Sequence, residues 1–278
     1  MRTRQPMFHE LNVVTKEITI NSTPSKIFQA WSDPDHIARW FTDAVSGWPG
    51  VGSTLTFSWK NFGFSVEYKL AEMRPDTKLV YKTRLPGVGT QVLTVVLARR
   101  APKTIVTLSE SGPENHKSDP KESGVDSGWE MSLSLLKYYV EKQFGRDRET
   151  FFAMLPAHFE FPVLRNLFTT AEGLNSWINL ESAPPEKVGD EVKLRLDDGS
   201  HISGTVLALT HHEMSLSWDE IDGYLELKSF PTGGNNKGLC LRGGTFNPSS
   251  HDIDEIEAKV KDLLVKLFAA LTTAQQGG

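Results

Sequence analysis

The chain has 278 residues, enough for two domains of ordinary size. A formal net charge of −5 excludes the basic face of a nucleic-acid binder, and no apolar run reaches the ~18 residues of a membrane-spanning helix. The leading MRTRQPMFHELN has basic residues with no apolar stretch behind them, which speaks against a secretory signal, and the single Cys240 allows no internal disulfide and fits a reducing cytoplasm.

Residues 18–41, ITINSTPSKIFQAWSDPDHIARWF, set the organisation of the first half. Ile18 and Ile20 alternate with polar residues and predict the end of a half-buried strand. Ser22 or Thr23 caps a helix that begins at Pro24, with Ile27, Phe28 and Trp31 on one face. Asp33-Pro34 repeats that signal for a second short helix carrying Ile37, Trp40 and Phe41. Gly47-Trp48-Pro49-Gly50 reads as a turn. Residues 54–60 alternate, with Leu55, Phe57 and Trp59 on one side. Residues 64–73 follow with Val66, Tyr68 and Leu70 inward, which turns Glu67 and Lys69 to solvent. Strands at 78–84, 91–99 and 103–110 complete the run. Residues 91–99 are apolar on both faces, as in a strand that is central or covered on both sides. The polar residues 112–127 read as a loop. From Gly128 the period becomes helical, with Met131, Leu135, Tyr138 and Trp129, Leu133, Leu136, Val140 forming a wide apolar stripe that ends near Gly145.

The second half repeats the first. Trp177 lies 137 residues after Trp40, and Val188-Gly189 lies 137 after Val51-Gly52. At the same offset Leu174 meets Ile37, while Val192 and Leu194 meet Leu55 and Phe57. Strands are expected at 191–197, 201–209, 213–219, 223–230 and 237–246, then a helix over 251–273. Asp252, Asp254, Glu255 and Glu257 crowd the start of that helix, where the helix dipole favours negative charge. Two copies at this spacing indicate a tandem domain duplication, with domains at 1–146 and 147–278.

The segments STPSKIFQAWSDPDHIARWF, KLVYK, TVVLARRAPKTIVTLSESG and GWEMSLSLLKYYVEK together resemble the START-like (SRPBCC) superfamily, and within it the Hsp90-ATPase-activator-homologue, or AHSA1-like, family. The resemblance covers about 11–145 and reaches 150–273 through the repeat. Thr170-Ala171 replaces the DP pair in the second copy, and no Gly-Trp opens its last helix. The implied fold is α+β: two helix-grip domains, each a curved antiparallel sheet around a long C-terminal helix, with two short helices after the first strand. In this family the space between sheet and helix is often a hydrophobic cavity.

On that basis the candidate ligand-binding residues are Trp40, Phe41, Phe57, Trp59, Tyr68, Tyr81, Trp129, Leu133 and Leu136. The same set would also serve a plainly packed core. Where the first copy has Phe57 and Trp59 the second has Leu194 and Leu196, so a ligand is expected in the first domain. His211-His212-Glu213 is the densest group of potential metal ligands. Adjacent strand residues point to opposite faces, and no CxxC or HExxH pattern supports it, so no metal is expected and a solvated strand start is read there. Gly233-Gly234 reads as a hairpin turn and Gly243-Gly244 as a bulge or strand end, since the P-loop spacing is absent. Cys240 lacks an identifiable His partner and reads as a buried, inert thiol. Glu72, Arg74 and Asp76 sit at a turn. No residues carry a catalytic mechanism, and no cofactor is expected. The leading expectation is a cytoplasmic, non-catalytic protein that binds a small apolar ligand or a protein partner. The alternatives are a co-chaperone-like interaction protein meeting a chaperone, and an enzyme of the polyketide cyclase type, a group found among helix-grip proteins.

Overall fold

The computed structural model describes residues 12–85, 89–112, 124–233 and 236–276. Strand β1 (Asn12–Ile20) leads into α1 (Pro24–Ser32) and α2 (Pro34–Trp40). The Thr23 side chain accepts from the Lys26 amide, and Asp33 both ends α1 and caps α2 by accepting from the Asp35 amide at 2.9 Å. Two capped, proline-started helices thus follow from two residue pairs, Thr23-Pro24 and Asp33-Pro34. Then come β2 (Ala44–Gly47), β3 (Thr54–Trp59), β4 (Phe64–Arg74), β5 (Lys78–Leu85), β6 (Gly89–Arg100), β7 (Lys103–Gly112) and α3 (Gly124–Tyr138), which runs on through a π turn at Tyr139–Gln143. The seven strands are antiparallel in the order β1-β7-β6-β5-β4-β3-β2.

The second half rebuilds this. Strand β8 (Glu149–Ala157), α4 (Phe161–Thr169) and α5 (Ala171–Asn175) precede β9 (Asn179–Leu180), β10 (Glu191–Arg195), β11 (His201–Leu209), β12 (Met214–Trp218), β13 (Gly223–Gly233), β14 (Asn236–Thr245) and α6 (Ile253–Gln276). Its order, β8-β14-β13-β12-β11-β10-β9, is that of the first sheet, strand for strand. The 137-residue offset maps β1 onto β8 and α1 onto α4, end to end. It also preserves single bonds. Trp40 Nε1 donates to Ala30 O at 2.8 Å, and Trp177 Nε1 donates to Leu167 O at 2.8 Å. Gly52 and Gly189 share left-handed φ values of 90° and 95°, which only glycine adopts without strain. Thr170 occupies the place of Asp33 and caps α5 by accepting from the Gly173 amide, so the cap survives without the DP pair.

Several expectations are corrected. Gly47 belongs to β2, which was read as part of a turn, and β8 was not read at all. Helix α3 starts four residues before Gly128 and Gly112 closes β7, so the ends of the expected 112–127 loop are ordered elements; residues 113–123 lie outside the described residues. Strand β6 is central, but Val96 is 40% exposed, so only its Leu93, Val95 and Leu97 face is covered. Gly243 and Gly244 form no bulge: they pair continuously with β13 close to the end of β14. A Cβ on Gly243 would stand 2.1 Å from Tyr224 O and 2.5 Å from the Phe151 ring. Gly234 lies outside the described residues. His212 and Glu213 precede β12 and are buried, not solvated; only His211 is exposed.

The domains share α3. One face of the helix, with Trp129, Leu133 and Leu136, closes the first core. The other meets the second domain, whose Leu207, Tyr224 and Phe246 join that same cluster. The Ser127 hydroxyl donates to the buried Glu213 carboxylate. Arg148 donates to Tyr224 Oη at 2.8 Å, to Ala38 O at 2.9 Å and to Thr42 O, using carbonyls at the end of α2 that the helix itself cannot satisfy. Phe62, in the turn between β3 and β4, packs edge-on against Phe152 and Phe230 with ring centroids 5.1 and 5.3 Å away. Covered on both sides, β12 is buried at every position.

Candidate functional site in the first domain

The inward face of the first sheet is built by strict alternation. It presents Leu55 and Phe57 from β3, Tyr68 and Leu70 from β4, Tyr81 from β5, and Val106, Leu108 and Glu110 from β7. Helices α1 and α2 cover one edge with Trp31, Trp40 and Phe41, and α3 lays Trp129, Leu133 and Leu136 across the middle. All nine residues singled out in the sequence fall in this one cluster. Trp40, Phe57, Tyr68, Tyr81, Trp129, Leu133 and Leu136 are buried, while Phe41 and Trp59 are half-buried and pack against them.

The rings form a connected wall. Trp31 meets Trp40 edge-on at 4.8 Å, Phe41 stacks on Trp129 at 5.6 Å, and Phe57 lies 4.9 Å from Tyr68 and 6.0 Å from Tyr81. The Tyr81 hydroxyl donates to Trp31 O. Toward the surface, Trp59 meets Phe41 at 5.4 Å and stacks at 5.0 Å on Phe64, which is half exposed.

Three polar groups interrupt this wall. Glu110 sits among the inward residues of β7 and accepts from Trp129 Nε1 at 2.6 Å. Tyr68 lies close enough to feel that carboxylate: burial first, then Glu110, pushes its phenol well above the usual range, so it remains a neutral donor. Trp31 Nε1 is fully buried with no hydrogen-bond partner among the described residues. Tyr68, Glu110 and Trp129 keep 9%, 8% and 7% of their surface accessible, whereas Leu55, Phe57, Leu70, Tyr81 and Trp31 keep none. Of these three, the Glu110 carboxylate and the Trp129 indole are joined directly. Glu110 was missed in the sequence, although extending the Thr104, Val106, Leu108 alternation by one step places it inward. Trp31 was read as helix face only; its unmatched N–H has no sequence signal.

The larger cavities lie elsewhere. A surface groove of about 940 Å³ runs between α5 and α6, bordered by Asn166, Asn175, Trp177, Asp197, Lys266 and Ala270. A second of about 290 Å³ adjoins it and shares Trp177, Ile178, Asp197 and Lys266. In the first domain a groove of about 600 Å³ separates Phe28 and Pro34 from Trp48 and Met73, with Trp48 79% exposed at its rim. The second core also holds more aromatics than Leu194 and Leu196 suggested, including Phe151, Phe159, Phe168, Trp177 and Trp218.

Other candidate groups have ordinary settings. Among the described residues no cluster of three or more His, Cys, Asp or Glu is arranged to hold a metal. Cys240 is fully buried, and burial pushes its thiol up to about 12. Glu67 and Lys69 face solvent. Glu72 pairs with Arg74 and Lys78 at 2.6 and 2.8 Å. No helix is long and apolar enough to cross a membrane among the described residues.

A seven-stranded antiparallel sheet closed over one long helix, with two short helices at its edge, is the helix-grip arrangement of START-like proteins, present here twice. Residues 21–141 match the family model described as Activator of Hsp90 ATPase homolog 1-like protein. Solved structures of similar fold include the solution structure of the Aha1 dimer from Colwellia psychrerythraea, at 24% identity over 47% of this chain and 96% of that one, with a TM-score of 0.40. CalU16 from Micromonospora echinospora is 18% identical over 47% of this chain and 76% of its own, with a TM-score of 0.40. The di-domain ARO/CYC BexL from the BE-7585A biosynthetic pathway is 13% identical over 95% of each chain, with a TM-score of 0.43. A comparison with curated proteins finds no match.

Proposed function

We propose that this protein binds a small, predominantly apolar ligand between the first sheet and α3, without catalysing a reaction on it. The observation that carries the reading is Glu110. A carboxylate inside an aromatic wall costs several kcal/mol unless it is well paired, and one indole N–H pairs it only in part. A core serving stability alone is better filled by leucine. The unmatched Trp31 N–H and the slight accessibility kept by Tyr68, Glu110 and Trp129 support the reading. Aromatic walls with a few converging polar groups suit a ligand whose body is apolar and whose orientation is set by hydrogen bonds.

The test is a titration of the purified protein with a naphthalene-based hydrophobic dye, read by tryptophan fluorescence and native mass spectrometry. One dye per chain is expected, weakened by Leu133→Trp, which fills the first interior, and unaffected by Ala274→Trp in the α5–α6 groove. The opposite pattern, or no binding, overturns the reading.

A buried carboxylate at Glu110, whose charge the Tyr68 phenol feels, also favours a second reading, acid–base chemistry on the bound molecule in the manner of a cyclase. Turnover of a bound polyketide-like substrate, lost in Glu110→Gln while binding persists, would replace the first reading with the second. A protein partner, such as a chaperone, is the third occupant to compare, by co-elution of the purified proteins. The lone buried Cys240 suits the reducing cytoplasm as the place of action, and the domains are taken to divide between residues 146 and 147.

A further inference from the structure

We infer that the ligand of the first domain carries a protonated amine, held by Glu110 beside a cluster of aromatic rings; this rests on the ligand-binding reading above. The chain's buried carboxylates have different partners. Glu226 has Arg242 Nε at 2.6 Å. Glu213 takes the Ser127 hydroxyl in the seam between the domains. Glu110 accepts from the neutral Trp129 indole, and no ion pair reaches it among the described residues. An apolar body with a neutral end would leave that carboxylate without a counter-charge, and an acidic ligand would add a second negative charge beside it. A cationic end supplies what is missing.

The rings point the same way. Trp31, Phe41 and Trp129 stand mutually 5.6 to 6.4 Å apart, with faces tilted by 21° to 49°. An ammonium group within about 6 Å of several ring centroids is attracted to their negative faces, and more strongly where water is excluded. Carboxylate and rings therefore select the same chemistry, an organic ammonium ion with an apolar, aromatic-sized body. The charge-assisted N–H to carboxylate bond fixes its polar end, and Trp31 Nε1 remains as a donor to any acceptor on the body.

The experiment compares three probes of one shape by calorimetry on the full chain: 2-(1-naphthyl)ethylamine, 2-(1-naphthyl)ethanol and 1-naphthylacetate. The amine is expected to bind about tenfold or more tighter than the alcohol, and the acid more weakly than either. In Glu110→Gln the advantage of the amine over the alcohol should be lost, a change in selectivity that a merely structural role would not produce. Equal binding of amine and alcohol by the wild-type chain overturns the inference without any variant. So does a preference for the acid, or an amine preference that survives Glu110→Gln. Binding of the naphthalene dye with none of the three probes overturns the amine alone, whereas failure of the dye as well overturns the binding reading beneath it.

Discussion

At the scale of single residues, paired tryptophans hold each domain's short helices. Trp40 is buried, donates to Ala30 O and lies edge-on to Trp31, and Trp177 makes the equivalent bond to Leu167 O. Trp40→Ala should cost about 3–5 kcal/mol in urea unfolding, and Trp177→Ala a similar amount. A loss below about 1 kcal/mol would show that the helices are held by something else. Glu226 and Arg242 give a prediction in pH. Burial alone would raise the Glu226 carboxyl, but the Arg242 guanidinium outweighs it, and the folded pKa lies below the ordinary value of 4.5. The pair's contribution to stability is therefore complete above pH about 4.5 and is lost as pH falls through the lower folded value. Thermal unfolding of the wild type should become steeply acid-sensitive in that window. Glu226→Gln should remove that part of the slope while lowering stability at neutral pH, because Arg242 is left buried without its partner.

At the scale of elements, legibility followed the locality of the signal. Thr23-Pro24 and Asp33-Pro34 specify α1 and α2 through bonds that close within three residues, so both helices could be read directly. Strands β3 and β4 showed clean alternation because one face meets the core and the other meets water. Strand β8 hid because its partners are remote: Phe151 and Ala153 enter the second core while Phe152 meets Phe62 of the first domain, so the period of two disappears into a continuous apolar run. The wide stripe on α3 has the same cause. Its width was visible, but that Trp129, Leu133 and Leu136 serve one domain while the opposite face serves another depends on the docking of two sheets. The nine site residues were legible because they alternate on strands or sit at helical spacing. Glu110 was hidden by its polarity, and the Trp31 N–H because only the folded surroundings leave it unmatched. The seam can be probed directly. Leu207 of β11 joins the first domain's core, while Cys240 alternates with the core residues Leu239 and Leu241 and so lies on the seam side of its sheet. Leu207→Asp should loosen the seam and speed the reaction of Cys240 with a maleimide severalfold, with secondary structure retained. An unchanged labelling rate would mean that Cys240 is shielded by its own domain.

At the scale of the whole molecule, two copies of one fold are joined asymmetrically. The first domain's last helix is buried on two sides, whereas α6 of the second keeps an exposed outer face with Val265 and Phe268. A fragment ending at residue 146 should therefore expose apolar surface that the full chain covers. It should bind hydrophobic dye on its outside and self-associate at micromolar concentration; a monodisperse fragment as stable as the full chain would show that the second domain contributes little to the first. The shared helix has one more consequence. A guest that shifts α3 by even a fraction of an ångström while entering the first interior must change the free energy of the contacts around Ser127, Leu207 and Phe246. Thermodynamic linkage makes the effect mutual: the factor by which the guest tightens or loosens the join is the factor by which the docked second half alters affinity for the guest. A guest entering the first interior would thus have its affinity altered by the docked duplicated half.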